Sequence, residues 1–298
     1  MGQEILVIGG TRYFGIHLVE ALLAAGERVT IATRGRMPDP FGTRVRRITV
    51  DRGDATAMQA AFGDARFDLV YDQMCYGPDE AALAVRLFAG RVGRYLMTST
   101  IEVYDALHGR LQRPYREDDL DLAQAVEHPP TAYGDGKRGA EAALLAAPGL
   151  SVATLRLAHV LGGPEDFTGR LRGHVEAVLR GETLRHAAVP GGTSFIDAAG
   201  VVELLVWAGR QDFLGPLNVA SDGTLTAPGL RARIAARLGK EALLAPGDAA
   251  GDFNYAAPHS MDTRRAVARG WRFGAVDDWL DALIDAHVAP LAGGTVSA

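Results

Sequence analysis

Along the first half of the chain, short apolar runs alternate with stretches in which apolar residues recur at helical spacing. The runs fall at 4 to 8, 28 to 33, 46 to 50, 67 to 71, 94 to 98 and 151 to 157; the helical stretches fall at 15 to 26, 56 to 63, 79 to 92 and 132 to 147. Strand-helix alternation of this kind predicts an α/β fold, a doubly wound parallel sheet with helices on both faces. Strands buried on both sides read as continuous apolar runs, and Ile5-Leu6-Val7-Ile8 and Leu69-Val70-Tyr71 do so. Ligands are then expected at the carboxyl ends of the strands.

Beyond about residue 158 the pattern changes. Gly/Pro-rich loops such as Leu161-Gly162-Gly163-Pro164 separate helices near 170 to 181, 198 to 210, 228 to 238 and 275 to 287. The division expected is residues 1–157 as a dinucleotide-binding domain and 158–298 as a smaller, mostly helical substrate lobe. Asn218-Val219-Ala220 is expected to return a strand to the main sheet, so the two interleave. Gly293 to Ala298 reads as a loose tail.

The first strand runs into Gly9-Gly10-Thr11-Arg12-Tyr13-Phe14-Gly15. Gly9 and Gly15, six apart, match the outer glycines of a Rossmann-type loop that aims a helix N-terminus at a diphosphate. The middle position is Arg12, whose side chain is expected to swing out toward the adenosine ribose. Where an acidic residue would bind the ribose hydroxyls of NAD, the chain has Arg34 and Arg36. Guanidinium groups suit a 2′-phosphate, so NADP is the expected cofactor, with NAD as the alternative. Asp51, or else Asp54, is placed to accept from the adenine amino group. Thr11, Tyr13, Phe14, Gln73 and Thr98 complete the expected cofactor set.

Tyr133 and Lys137 stand one helical turn apart. A neighbouring ammonium favours the phenolate, which makes Tyr133 a usable acid or base; Tyr133 and Lys137 are also counted in the expected cofactor set. A hydroxyl of Ser99-Thr100 can hydrogen-bond the substrate oxygen whose proton Tyr133 moves.

Bulk properties narrow the class. A 298-residue chain that is 48% hydrophobic can bury a large core, and a formal charge of −5 without a long Lys/Arg run argues against gripping nucleic acid. The one cysteine, Cys75, excludes a disulfide framework and reads as a small apolar filler. The chain enters a strand almost at once and carries no apolar run near the ~18 residues of a membrane span, so a cytoplasmic protein is expected.

Together these residues resemble the extended short-chain dehydrogenase/reductases, the nucleotide-sugar epimerases and dehydratases. The likeness extends to Thr98-Ser99-Thr100-Ile101-Glu102-Val103-Tyr104, to Arg156-Leu157 followed by Gly162-Gly163-Pro164, to Phe195-Ile196-Asp197, and to Asp262 through Trp271. The glycine loop and Thr33-Arg34-Gly35 most resemble the branch with the chloroplast stem-loop-binding proteins. What the resemblance implies is a redox enzyme acting on a secondary alcohol or ketone of a sugar-like metabolite, of epimerase or dehydratase type. An NADPH-dependent ketoreductase and an RNA-binding protein on the same fold are the alternatives. Thr100, Tyr133 and Lys137 would be catalytic. Glu102 would exchange a proton at the neighbouring carbon, or else be a loop carboxylate paired with an arginine. Substrate contacts would come from Thr100, His159 and Arg156, the last with surface-arginine readings also open to Arg170 and Arg172. His159 stands where nucleotide-sugar enzymes usually place Asn, and Gly192-Thr193-Ser194-Phe195 where they often place an arginine, so the resemblance leaves open whether the substrate carries a nucleoside diphosphate. The resemblance also implies a homodimer through the helices near 79 to 92 and 132 to 147.

Overall fold

The computed structural model describes residues 2–123 and 132–292; the expected tail, 293–298, lies outside them. The first half runs β1 (Glu4–Ile8), α1 (Phe14–Ala24), β2 (Arg28–Thr33), β3 (Arg46–Thr49), α2 (Ala55–Phe62), β4 (Phe67–Asp72), α3 (Pro78–Phe88), β5 (Val92–Thr100), α4 (Tyr133–Leu145) and β6 (Val152–Leu157). The second half runs β7 (His159–Leu161), α5 (Arg170–Leu179), β8 (Leu184–His186), β9 (Phe195–Asp197), α6 (Ala198–Gly209), β10 (Gly215–Val219), α7 (Ala227–Arg237), β11 (Leu244–Pro246), α8 (Arg264–Val267) and α9 (Val276–Ala292).

The chain divides into two compact units. The first comprises the residues up to Asp105, Glu117–Leu157 and Val201–Asn218; the second comprises Ala106–Arg116, Ala158–Gly200 and Val219–Ala298.

In the first unit a seven-stranded sheet has the order β10-β6-β5-β4-β1-β2-β3. The five neighbouring pairs from β6 across to β3 are parallel. The chain winds outward from β1 through β2 to β3, then crosses to β4 and winds the other way. The direction of winding therefore switches between β1 and β4, and sheets of this kind bind ligands outside the strand ends at such a point, here Ile8 and Asp72. β1 and β4 are buried almost throughout, which is why they carry unbroken apolar runs. Under the sheet, Phe62 meets Phe88 at 5.8 Å between ring centres and Phe88 meets Tyr95 at 6.0 Å. Each such buried ring contributes about 2–3 kcal/mol.

Helix boundaries follow local chemistry. Asp54 caps α2 by accepting from the Ala57 N–H at 2.9 Å. Pro78 opens α3. That helix stops at Phe88, four residues short of the sequence expectation, because Ala89 turns extended and Gly90 takes a left-handed φ of 69° while its N–H donates to Gly149 O. Arg91 then leads into β5, which begins at Val92.

The second unit has a core of its own, with Leu171, Val175, Phe195, Leu230, Ile234 and Leu280 among its buried members. β7 pairs with β9 and β8 with β11, both in parallel. Among the described residues no helix is long and apolar enough to cross a membrane.

Candidate active site

The glycine loop follows the end of β1, whose neighbour on one side is β4. Gly9 and Gly10 hold φ of 106° and 88°, values open to glycine and strained for other residues. A Cβ on Gly15 would lie 2.7 Å from Gln73 Oε1 and 3.0 Å from Gly10 Cα, so the start of α1 can come this close only without a side chain. Tyr13 precedes the helix with φ 53°, rare for a bulky residue, and is held there with its side chain buried against Phe14. No sequence signal marked that strained position.

Two observations fit this loop to a dinucleotide. The first turn of α1 has neither a side-chain cap nor an acidic residue, so its positive end carries no carboxylate of its own, while the Gly15 and Ile16 N–H groups donate to Arg12 O and Tyr13 O. Gln73, whose N–H donates to Ile8 O at 3.1 Å, carries a buried Nε2 with no hydrogen-bond partner. An unsatisfied amide at the switch point is a group prepared for a ligand. Arg12 is exposed, in keeping with its expected outward path, and Thr11 and Phe14 are half-buried on the same loop.

Beyond β2, Gly35 turns with φ 67° and donates to Thr33 Oγ1 at 3.2 Å, leaving Arg34 and Arg36 exposed. Neither has an ion-pair partner among the described residues. Asp51 is exposed and accepts from Gly53 N–H at 3.1 Å, whereas Asp54 is occupied as the α2 cap. Both acids are exposed, and they differ in that Asp54 serves a helix start while Asp51, among the described residues, bonds only within its own turn. Between them the sequence reading missed Arg52. Its Nη2 donates to Asp72 Oδ2 at 2.8 Å and to Glu80 O at 2.9 Å, and the Tyr95 hydroxyl donates to the same Asp72 oxygen. Asp72 holds the Arg52 guanidinium well above its ordinary range despite burial. This network ties the ends of β3 and β4 to the start of α3 and fixes the segment that carries Gln73.

The proton-transfer residues converge at the end of β5. Strand pleating sends Ser99 and Thr100 to opposite faces. Ser99 donates to buried Glu141, while Thr100 Oγ1 accepts from Glu102 N–H at 3.3 Å. Glu102 is half-buried in a 3-10 turn over Ile101–Leu107. α4 meets this turn at Gly134, where a Cβ would overlap the Glu102 carbonyl oxygen and lie 3.2 Å from Asp105 Oδ2. Lys137, only 1% exposed, donates from Nζ to Thr98 O at 2.8 Å. Burial pushes its ammonium down to about 8, against the opposing pull of Cys75, Asp72, Glu80 and Glu141. Its Nζ lies 5.9 Å from the ring centre of Tyr133, and the Tyr133 side chain is 52% exposed. The helix spacing thus sets a buried cation beneath an accessible phenol.

Arg156 does not stand as a substrate contact. It is fully buried on β6, with Nη2 to Glu141 Oε2 at 2.6 Å and Nη1 to Tyr104 Oη and Glu117 O at 2.8 and 3.1 Å. Its charge is spent inside the protein, pinning β6 to α4. In the second unit, Arg172 pairs with Glu176 on the surface of α5, and Arg170 donates to Val160 O while lying over Phe253. His159 is buried on β7, with Nε2 3.1 Å from the Tyr255 hydroxyl; burial and the nearby Arg170 keep its imidazole neutral. Cys75 lies fully buried in the loop after β4, and burial pushes its thiol up, as suits an inert filler.

A match to the NAD dependent epimerase/dehydratase family covers residues 5–220. The chain belongs to that family. The resemblance read from the glycine loop, Tyr133 and Lys137 is thereby borne out, as is the Rossmann-type sheet. Among solved structures, the enzyme WbmG of Bordetella bronchiseptica in complex with NAD superposes with a TM-score of 0.74 at 20% identity, covering 100% of this chain and 96% of that one. The Thermus thermophilus UDP-glucose 4-epimerase complex with NAD gives 0.68 at 20% identity, covering 98% and 99%. Likeness at that identity speaks for the fold alone. Among curated relatives, 2'-dehydrokanamycin reductase of Streptomyces kanamyceticus is 32% identical over 98 residues, 33% of this chain and 28% of its own. The chloroplast stem-loop binding protein of 41 kDa b of Arabidopsis thaliana is 26% identical over 176 residues, 54% of this chain and 43% of its own. The matched stretch thus spans less than half of either curated relative.

Proposed function

We propose that this protein is a nicotinamide-dinucleotide enzyme that acts on a secondary alcohol or ketone of a sugar-like metabolite, with an epimerase-type cycle in which the substrate is oxidised transiently and reduced again. The observation that carries the reading is Lys137, an ammonium buried against the Thr98 carbonyl with the half-exposed phenol of Tyr133 above it, in the same unit as the glycine loop from Gly9 to Gly15. Names among the relatives support the substrate class: a reductase of a dehydrokanamycin and epimerases of UDP-sugars.

A bound nicotinamide would supply the hydride acceptor and donor. The N-terminus of α1 and the backbone from Gly9 to Gly15 would hold its diphosphate, Gln73 would satisfy its amide there, and Arg34 with Arg36 would favour NADP over NAD through the 2′-phosphate. Thr100 orients the substrate oxygen. Tyr133 takes the hydroxyl proton at that oxygen and later returns it, and the ammonium of Lys137 stabilises the phenolate in between. Glu102 exchanges a proton at the carbon beside the transient ketone.

A ketoreductase that consumes NADPH is the second reading, favoured by the two arginines after β2, which have no ion-pair partner among the described residues. Denaturing the purified protein and assaying the released nucleotides separates the two. Stoichiometric bound cofactor supports the redox-neutral cycle; an empty site that binds added NADPH supports the reductase. A protein that binds neither nucleotide but retains single-stranded RNA would sink both.

A further inference from the structure

A second phenol stands beside Lys137. The Nζ atom lies 4.5 Å from the ring centre of Tyr76, nearer than its 5.9 Å to Tyr133, and the two rings are 6.2 Å apart and inclined by 48°. Tyr76 is 44% exposed, but its place is not loose. Asp72 Oδ1 accepts from Met74 N–H at 2.9 Å, the Cys75 side chain is fully buried, and Glu80 in the first turn of α3 accepts from the N–H groups of both Tyr76 and Gly77. A capped helix start thus presents one ring face to a buried ammonium. That face is the electron-rich side of an aromatic quadrupole, which attracts a cation, and the ring's bulk keeps water away.

We propose that Tyr76 is a positioning residue: its ring covers the Lys137 ammonium and holds it between the Thr98 carbonyl and Tyr133. The inference deepens the proposed function and rests on Lys137 and Tyr133 being its proton-transfer pair. Two effects of the ring oppose each other. Its quadrupole favours the charged form of Lys137, while its exclusion of water disfavours it. The other groups acting on this ammonium are Asp72, Cys75 and Glu80 on the β4–α3 segment and Glu141 on α4, and a change at Tyr76 leaves all four in place.

The sequence makes the test direct. Of 31 basic side chains only two are lysines, Lys137 and Lys240. Protein labelled with 13C at the lysine ε-carbon therefore gives two lysine signals, which Lys240→Arg assigns, and exposed Lys240 serves as an internal reference. Lys137 is titrated with pH in the parent protein and in Tyr76→Phe, Tyr76→Leu and Tyr76→Ala. The phenylalanine variant keeps the ring and is expected to titrate with the parent. Leucine keeps the apolar cover without the quadrupole, and the midpoint falls. Alanine admits water, and the midpoint rises by about one pH unit. A merely structural role would not reverse sign between leucine and alanine. Midpoints equal across all variants overturn the proposal. Nucleotide binding is measured on the same samples: if the midpoints move as expected but no nucleotide binds, Tyr76 still positions Lys137 while the enzymatic reading fails.

Discussion

Gly134 and Glu102 meet backbone to backbone: a Cβ on Gly134 would overlap the Glu102 carbonyl oxygen. This approach brings the first turn of α4, with Tyr133 at its start, against the turn that follows Thr100. Because the obstacle is backbone on both sides, no rotamer change relieves it.

Gly134→Ala is therefore expected to shift the start of α4 or the 101–107 turn, lowering stability by about 1–3 kcal/mol as overpacked sites do. Activity should fall further than stability accounts for, since Tyr133 moves with the helix. Urea unfolding and steady-state rates at saturating nucleotide measure the two losses. Parental values for both would show that the turn yields freely.

Removing the phenol tests the chemistry more narrowly. Tyr133→Phe leaves the glycine loop, Gln73 and Lys137 untouched, so nucleotide affinity should hold while kcat drops roughly 10²–10⁴-fold, the usual scale for losing a general acid. In the direction that protonates the substrate oxygen, the parental rate should decline above a pH of about 8, as the depressed ammonium of Lys137 loses its proton. A rate rising steadily through pH 9 in that direction would contradict this assignment.

What the sequence showed of this site was local. The glycine loop, the four-residue spacing of Tyr133 and Lys137 and the hydroxyls closing β5 each sit within a few residues of one another and follow known strand and helix periods. What it hid came from distant partners. Arg156 reads as an available cation until β6 is laid against α4 and Glu141 meets it; Arg52 reads as a loop residue until β4 brings Asp72 beside it. Tyr76 is separated from Lys137 along the chain by α3 and β5, and no periodicity links them. The end of α3 was overrun because Ala89-Gly90 follows an alanine-rich helix, and the stop is set by the hydrogen bond from Gly90 to distant Gly149.

The Arg156–Glu141 pair carries its own consequence. Both side chains are fully buried, so deleting one partner strands the other's charge. Glu141→Gln should destabilise the protein by about 3–5 kcal/mol. Replacing both, as Glu141→Leu with Arg156→Met, should recover part of that loss by leaving no unpaired charge. Denaturant midpoints of Glu141→Leu, Arg156→Met and the double variant decide it; a double variant as weak as the sum of its parts would mean that Tyr104, Glu117 and Ser99, not the charge pair, dominate the network.

Cofactor choice turns on the segment after β2. Arg34→Ser with Arg36→Ser should weaken NADP binding roughly 10–100-fold, the scale of one or two charge-assisted hydrogen bonds, and leave NAD nearly unchanged. Calorimetric titration with each nucleotide gives the ratio. Equal losses for both would mean the arginines act only as a general positive field.

The second unit should weaken in mild acid, and His174 shows why. Its Nδ1 accepts from Arg231 Nε at 2.9 Å, its Nε2 faces Asp252 O at 3.2 Å, and its ring stacks on Phe253, so a second ring proton has no acceptor and would face the arginine's donor. Burial, with Arg231 second, pushes its pKa down to about 4, and burial does the same to His259. An imidazole depressed when folded takes up protons more readily when unfolded, near 6.5, so the stability it contributes is complete above that pH and is lost as pH falls toward 4. For His174 the loss is on the order of 3 kcal/mol across that window, to which carboxylates add only toward its acid end. Thermal unfolding between pH 7 and 4.5 should show the decline. It should be shallower in His174→Gln, whose amide can accept from Arg231 and donate to Asp252 O without titrating. Identical slopes for parent and variant would place the acid-sensitive group elsewhere, with His259 the next to replace.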